Sequence, residues 1–259
     1  MKIKGIIKSI ICVFMTLLMA TMMLVSCTTG ASTRDYDYKT SIKGAEKVLN
    51  TTDKKFLVLV NKNNTVGTDY EPDAVAKVNS KYTNGGKTVE LQADVVVAAE
   101  ALIAEMRECG ITEVSITSGY RTYAYQQTLF DRYCEEERAA HPSWSDAKIR
   151  DQVLSYSAAP GSSEHQTGLC VDLITTEMEG LWNFGSETSN PYDKGFAETA
   201  AFRWLQENAH KFGFILRYPD DKTSVTGYSY ESWHYRFVGI AAATEMYEKG
   251  ITLEEYLGK

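Results

Sequence analysis

Along residues 91–109 the apolar positions Leu91, Val95, Ala98, Ala99, Leu102, Ile103 and Met106 recur at helical spacing, and Gly110 supplies a C-terminal stop. The pattern then changes period. Residues 112–117 (TEVSIT) alternate as a strand that runs into Ser118-Gly119-Tyr120-Arg121, so Arg121 falls just beyond a strand end. A helix is predicted over 123–139, and Ser145 is placed to cap a further short one after the break at His141-Pro142. Ala159-Pro160-Gly161 forces a turn, after which 168–173 reads as a strand. Residues 177–195, with three glycines and Asn190-Pro191, read as a surface loop, and 196–212 as a helix stopped by Gly213. Strand-like pieces at 214–217 and 233–238 lead to a helical tail, and a short β-rich run at 55–60 opens the folded pattern. Helices before and after a few strands predict an α+β fold, a small and mostly antiparallel sheet flanked by helices, in a single domain.

The ends of the chain carry different signals. Lys2, Lys4 and Lys8 precede an apolar run over 10–25, the pattern of a secretory signal, and the run closes on Leu24-Val25-Ser26-Cys27. That closing tetrapeptide resembles the lipobox of bacterial lipoproteins. It implies cleavage before Cys27, acylation of its thiol, and a domain exported and anchored at the membrane surface. Residues 27–50 are polar and aperiodic, as a flexible tether would be, leaving 51–259 for the working domain. Removing residues 1–26 takes away three Lys and no acid, so the formal charge moves from −7 to −10 (−7 − 3). An acidic chain without a basic patch excludes nucleic acid as partner. Cys109, Cys134 and Cys170 remain besides Cys12 and Cys27, an odd set without CxxC spacing that favours packed thiols over a disulfide framework.

Two of the four histidines have a carboxylate at short range. His165 sits in a turn seven positions before Asp172 on the strand that the turn feeds, and His234 follows Glu231 by three. On an extended strand positions three apart face opposite ways, so Glu231 and His234 share a site only if the chain bends at Ser232. Two such pairs in one exported chain point to a metal. Hydrolysis at zinc requires three protein ligands, an open position for water, and a base.

SGYRTYAYQ at 118–126, PGSSEHQTGLCVDL at 160–173 and GFILRYPDDKTSVTGYSYESWHYRFVG at 213–239 resemble the D-alanyl-D-alanine carboxypeptidases of the VanY type. These zinc peptidases share a family with VanX-like dipeptidases and L,D-carboxypeptidases. The likeness extends to LVNKNN at 59–64 and covers about residues 55–240 in order. It implies zinc held by His165, Asp172 and His234, Glu231 as general base on zinc-bound water, and Arg121 polarising the scissile carbonyl. Ser163, Gln127 and Tyr120 are candidates to hold the substrate. The family usually has Ala where Cys170 stands and Pro where Ser232 stands. The expected activity is removal of the C-terminal D-alanine from peptidoglycan stem peptides by a monomer. The alternatives are L,D-carboxypeptidase action on tetrapeptide stems and a non-catalytic cell-wall-binding lipoprotein. Dipeptidase action or solute binding fit less well.

Overall fold

The computed structural model describes residues 30–178 and 193–259. Residues Ala31–Lys259 form one compact unit. Its centre is a four-stranded antiparallel sheet in the order β3 (Val114–Ser118), β4 (Cys170–Thr175), β6 (His234–Phe237), β5 (Phe214–Leu216). A separate two-stranded ribbon pairs β1 (Val75–Lys77) with β2 (Glu90–Gln92). The numbered helices are α1 (Ala93–Glu108), α2 (Tyr123–Ala140), α3 (Asp146–Tyr156), α4 (Ala200–Asn208), α5 (Ile240–Lys249) and α6 (Leu253–Tyr256). Among the described residues no helix is long and apolar enough to cross a membrane.

Alternation along the strands divides the sheet into two chemistries. Val171 and Leu173 of β4 and Tyr235 and Phe237 of β6 point into the main core, where Leu102, Ile103 and Met106 of α1 pack. The intervening residues Cys170, Asp172, His234 and Arg236 occupy the other face, with Asp172 opposite His234 and Cys170 opposite Arg236. A bulge between Ile116 and Ser118 of β3 lets Ile116 pair with Leu173 on the core side while Ser118 pairs with Asp172 on the polar side. The polar face is nevertheless buried, because segments outside the sheet cover it.

Three expectations need correction. Residues 31–50 are not a loose tether. The α1 carboxylate of Glu105 accepts from the Lys39 and Thr40 amides and the Thr40 hydroxyl, Tyr36 bonds Thr244, and Ala45 and Leu49 enter the core. Residues 55–60 do not form a strand. Asp53 caps a 3-10 turn at Lys54–Leu57, and the Phe56 and Val58 carbonyls that a neighbouring strand would use accept instead from Arg236. The helix expected over 196–212 is interrupted because Thr199 caps a new start at Ala200, and it ends in a 3-10 turn at Ala209–Phe212. The loop expected over 177–195 lies largely outside the described residues, as does everything before residue 30. Cys109, Cys134 and Cys170 are free thiols.

Candidate metal centre and active site

His165 comes from a 3-10 turn, Glu164–Thr167, that ends at Gly168 with φ 66°. A Cβ at Gly168 would lie 2.8 Å from the Gln92 amide nitrogen, so both backbone conformation and space require glycine there. The turn is tied to the end of β3 at two points. The Arg121 amide donates to the His165 carbonyl at 3.1 Å, and His165 Nδ1 lies 2.6 Å from the Gly119 carbonyl oxygen. A carbonyl only accepts, so Nδ1 carries a proton and Nε2 is the ring nitrogen aimed at Asp172 Oδ2, 3.2 Å away.

Asp172 and His234 face each other across β4 and β6, with Oδ1 3.1 Å from Nδ1. The bend required at Ser232 is present as a turn in which the His234 amide donates to the Glu231 carbonyl at 3.3 Å. It brings Glu231 Oε2 to 3.5 Å from His234 Nδ1. Tetrahedral zinc with bonds of about 2.0–2.2 Å would space its donors by roughly 3.3–3.6 Å. His165 Nε2 stands 3.2 Å from one Asp172 oxygen and His234 Nδ1 3.1 Å from the other, close to that spacing, and two imidazoles with a carboxylate are a donor set that suits the ion.

The remaining predicted residues divide. Arg121 donates to Asp172 Oδ2 at 3.0 Å and to Ser118 Oγ from both Nε and Nη2, so its guanidinium is fixed beside the donors. Its other branch reaches Gln126 Oε1 at 3.4 Å, whereas the Gln127 amide is taken by Asp131 one turn along α2. Gln126, not Gln127, is therefore the glutamine at this site. Ser163 is buried at the start of the His165 turn. Tyr120 is half-buried, with its amide on the Glu90 carbonyl and its hydroxyl chemistry shaped by burial and Glu71 rather than by the metal-donor residues.

Behind His234 lies a group that sequence reasoning missed. Glu164 Oε1 accepts from Arg217 Nε at 2.8 Å and Arg236 Nη1 at 2.6 Å, and Arg217 makes a bidentate pair with Glu254 of α6. All four side chains are almost fully buried. Glu164 Oε2 faces His234 Nε2 at 3.6 Å, which favours the proton on Nε2 and leaves Nδ1 free toward Asp172 and Glu231. The available signal was an arginine inside each of two apolar strand segments, Arg217 and Arg236, neither of which could be buried without an acid.

A family model described as D-alanyl-D-alanine carboxypeptidase, VanY, matches residues 88–240. The chain belongs to the VanY family. A D-alanyl-D-alanine carboxypeptidase of Enterococcus faecalis is 36% identical over 201 residues, covering 78% of this chain, which spans 65% of that relative. The crystal structure of a vancomycin-resistance D,D-pentapeptidase VanY in complex with Zn(II) has 34% identity and a TM-score of 0.61, over 78% of this chain and 99% of the other. The LD-carboxypeptidase LdcB has 31% identity and a TM-score of 0.64, over 86% and 94%.

Electrostatics in this VanY-family site favour a bound cation. Burial and the Arg121 charge push His165 down, but Asp172 and Cys170 together lift it to about 9. Burial alone would raise Asp172, yet the two imidazoles hold it well below the usual carboxylate range. A proton therefore occupies the position that a cation would take. Burial pushes the Glu231 carboxyl up to about 7. A separate cavity of about 280 Å³, lined by residues including Leu205, His210, Tyr235 and Tyr247, shares none of the donor residues.

Proposed function

We propose that this chain is a zinc-dependent carboxypeptidase that removes the C-terminal D-alanine from peptidoglycan stem peptides. The observation that carries the reading is the convergence of His165, Asp172 and His234 with an unshared carboxylate, Glu231, and a fixed cation, Arg121. His165 through Nε2, Asp172 through its carboxylate and His234 through Nδ1 would hold the ion. Zinc, when bound, supplies a Lewis acid for the scissile carbonyl and lets water act as a nucleophile near neutral pH.

The protein's own residues supply the rest. Glu231 takes a proton from the attacking water and passes it to the departing D-alanine amine, a task suited to a carboxyl that burial has brought close to neutral pH. Arg121 donates to the carbonyl oxygen as negative charge develops there, and Ser118 and Asp172 keep its fork from having to reorient. Ser163 is the candidate to meet the substrate's terminal carboxylate or backbone, while Gln126, its amide held by the Ala158 carbonyl, steadies Arg121. Glu164 keeps His234 in the useful tautomer.

The same reading places the domain outside the cell as a monomer, lipid-anchored at Cys27, on the strength of the signal and lipobox pattern over residues 1–27. The likeness to LdcB favours one second reading, L,D-carboxypeptidase action on tetrapeptide stems.

The test is mass spectrometry of products after the purified chain meets a synthetic pentapeptide ending in D-Ala-D-Ala, or the matching tetrapeptide, with and without chelator. Chelator-sensitive loss of one alanine from the pentapeptide is expected. Loss from the tetrapeptide alone would move the assignment to L,D chemistry, and cleavage that survives chelation would overturn the zinc mechanism.

A further inference from the structure

We infer that Cys170 is a further protein donor to the metal, so that this site binds its cation through a sulfur atom as well as through imidazole and carboxylate. The inference rests on reading the site as a metal centre. Strand alternation puts Cys170 on the same face of β4 as Asp172, and the register sets them opposite Arg236 and His234. One ligating atom each from His165, Cys170 and His234 lies within 4.8 Å of the others, and all three residues are buried.

Packing does not account for this thiol. Its neighbours Leu169, Val171 and Leu173 all belong to the main apolar core, whereas Cys170 belongs to neither apolar cluster and sits on the polar face among charged groups. It is a free cysteine, fully buried beside the two imidazoles. A thiol brought against a divalent cation loses its proton and becomes a strong soft ligand. Sulfur donation therefore tightens the hold on zinc and shifts preference toward softer ions such as cadmium. The converging atoms are those of His165, Cys170 and His234; with Asp172 at the metal as well the protein would contribute four donors, the number found in closed structural sites, and a catalytic water would need a fifth position or the release of one donor.

The experiment replaces zinc with cobalt(II) in the full chain and reads two absorption features. Visible ligand-field bands report that cobalt is bound, and a near-ultraviolet charge-transfer band reports a thiolate on it. The wild-type chain is expected to show both. Cys170→Ala and Cys170→Ser should keep the visible bands and lose the near-ultraviolet one, with Cys109 and Cys134 unchanged as internal controls. Zinc affinity, measured against a chromophoric chelator, should fall in both variants by at least about 10-fold, the lower end of the cost of losing an outer-shell partner. Visible bands without charge transfer in the wild type, or charge transfer that persists in both variants, overturn the inference and leave the metal centre standing. Absence of cobalt binding altogether overturns the metal centre, and the inference with it.

Discussion

Two groups of buried charge meet at His234 and are balanced in opposite ways. Behind its Nε2, Glu164 and Glu254 are matched by Arg217 and Arg236, two negative and two positive charges, with nearly every oxygen and nitrogen engaged. On the Nδ1 side, Asp172 and Glu231 are matched by Arg121 alone, so with neutral imidazoles the group carries one uncompensated negative charge. The first group is balanced within itself, and the one Glu164 oxygen without a hydrogen-bond partner faces His234. The second is completed only by a cation. Burial pushes Glu164 up, but its two arginines outweigh burial and hold its carboxyl well below the usual range, while Glu231, with less compensation, is left near 7. Similar residues at similar depth are thus neutralised in one place and, on the proposed function, left available for chemistry in the other, and the count of opposite charges separates them.

Breaking the open group should have the largest effect. Glu231→Gln should reduce kcat about 100- to 10,000-fold, the usual loss for a general base, with zinc content unchanged. A variant with full activity would falsify the assignment. Breaking the closed group should affect stability instead. Arg217→Met leaves Glu164 and Glu254 short of a partner and should cost about 3–5 kcal/mol in urea denaturation. Undiminished stability would mean that the network is not a structural element.

Smaller effects sharpen the boundary between the two groups. Glu164→Gln should weaken zinc binding about 10- to 100-fold with less effect on turnover at saturating zinc, and an unaltered zinc titration would remove Glu164 from its orienting role. Zinc affinity should also depend on pH. His165 in the metal-free site titrates at about 9 and His234 is likewise raised well above the usual imidazole range, so near neutral pH zinc displaces protons from both, and affinity should rise at least about tenfold per pH unit. A flat profile between pH 6 and 8, on the order of two units of titration, would contradict the proton-filled site.

His210 serves as a control outside both groups. It stacks on Tyr247 at 4.0 Å, and burial lowers it from 6.5 to about 4. Between those values the unfolded chain binds more protons, so stability is fully present above about pH 6.5 and declines as pH falls toward 4. Thermal denaturation of His210→Phe should show a shallower decline over that window, and identical slopes would exclude His210 as a contributor.

The open group was far more legible in the sequence than the closed one. His165, Asp172, Glu231 and His234 lie in two short segments, so spacing and resemblance found them, and even the bend at Ser232 could be required from strand geometry. The closed group joins residues 53 and 72 positions apart, and no local pattern records such pairings. The same holds elsewhere. α1 was predictable from its own periodicity, but the docking of residues 31–50 depends on Glu105 and Thr244, distant in sequence. Gln126 and Gln127 differ only in which side of α2 they occupy, a distinction smaller than a sequence reading of the helix start resolves.

The docked N-terminal segment also bears on where the enzyme can work. Because the compact unit begins at Ala31, a lipid on Cys27 would leave only four residue steps (31 − 27) between bilayer and domain. Fully extended, those steps span about 14 Å. On the proposed lipid anchor, so short a leash would hold the cleft near the membrane surface, with stem peptides still attached to lipid carriers within reach.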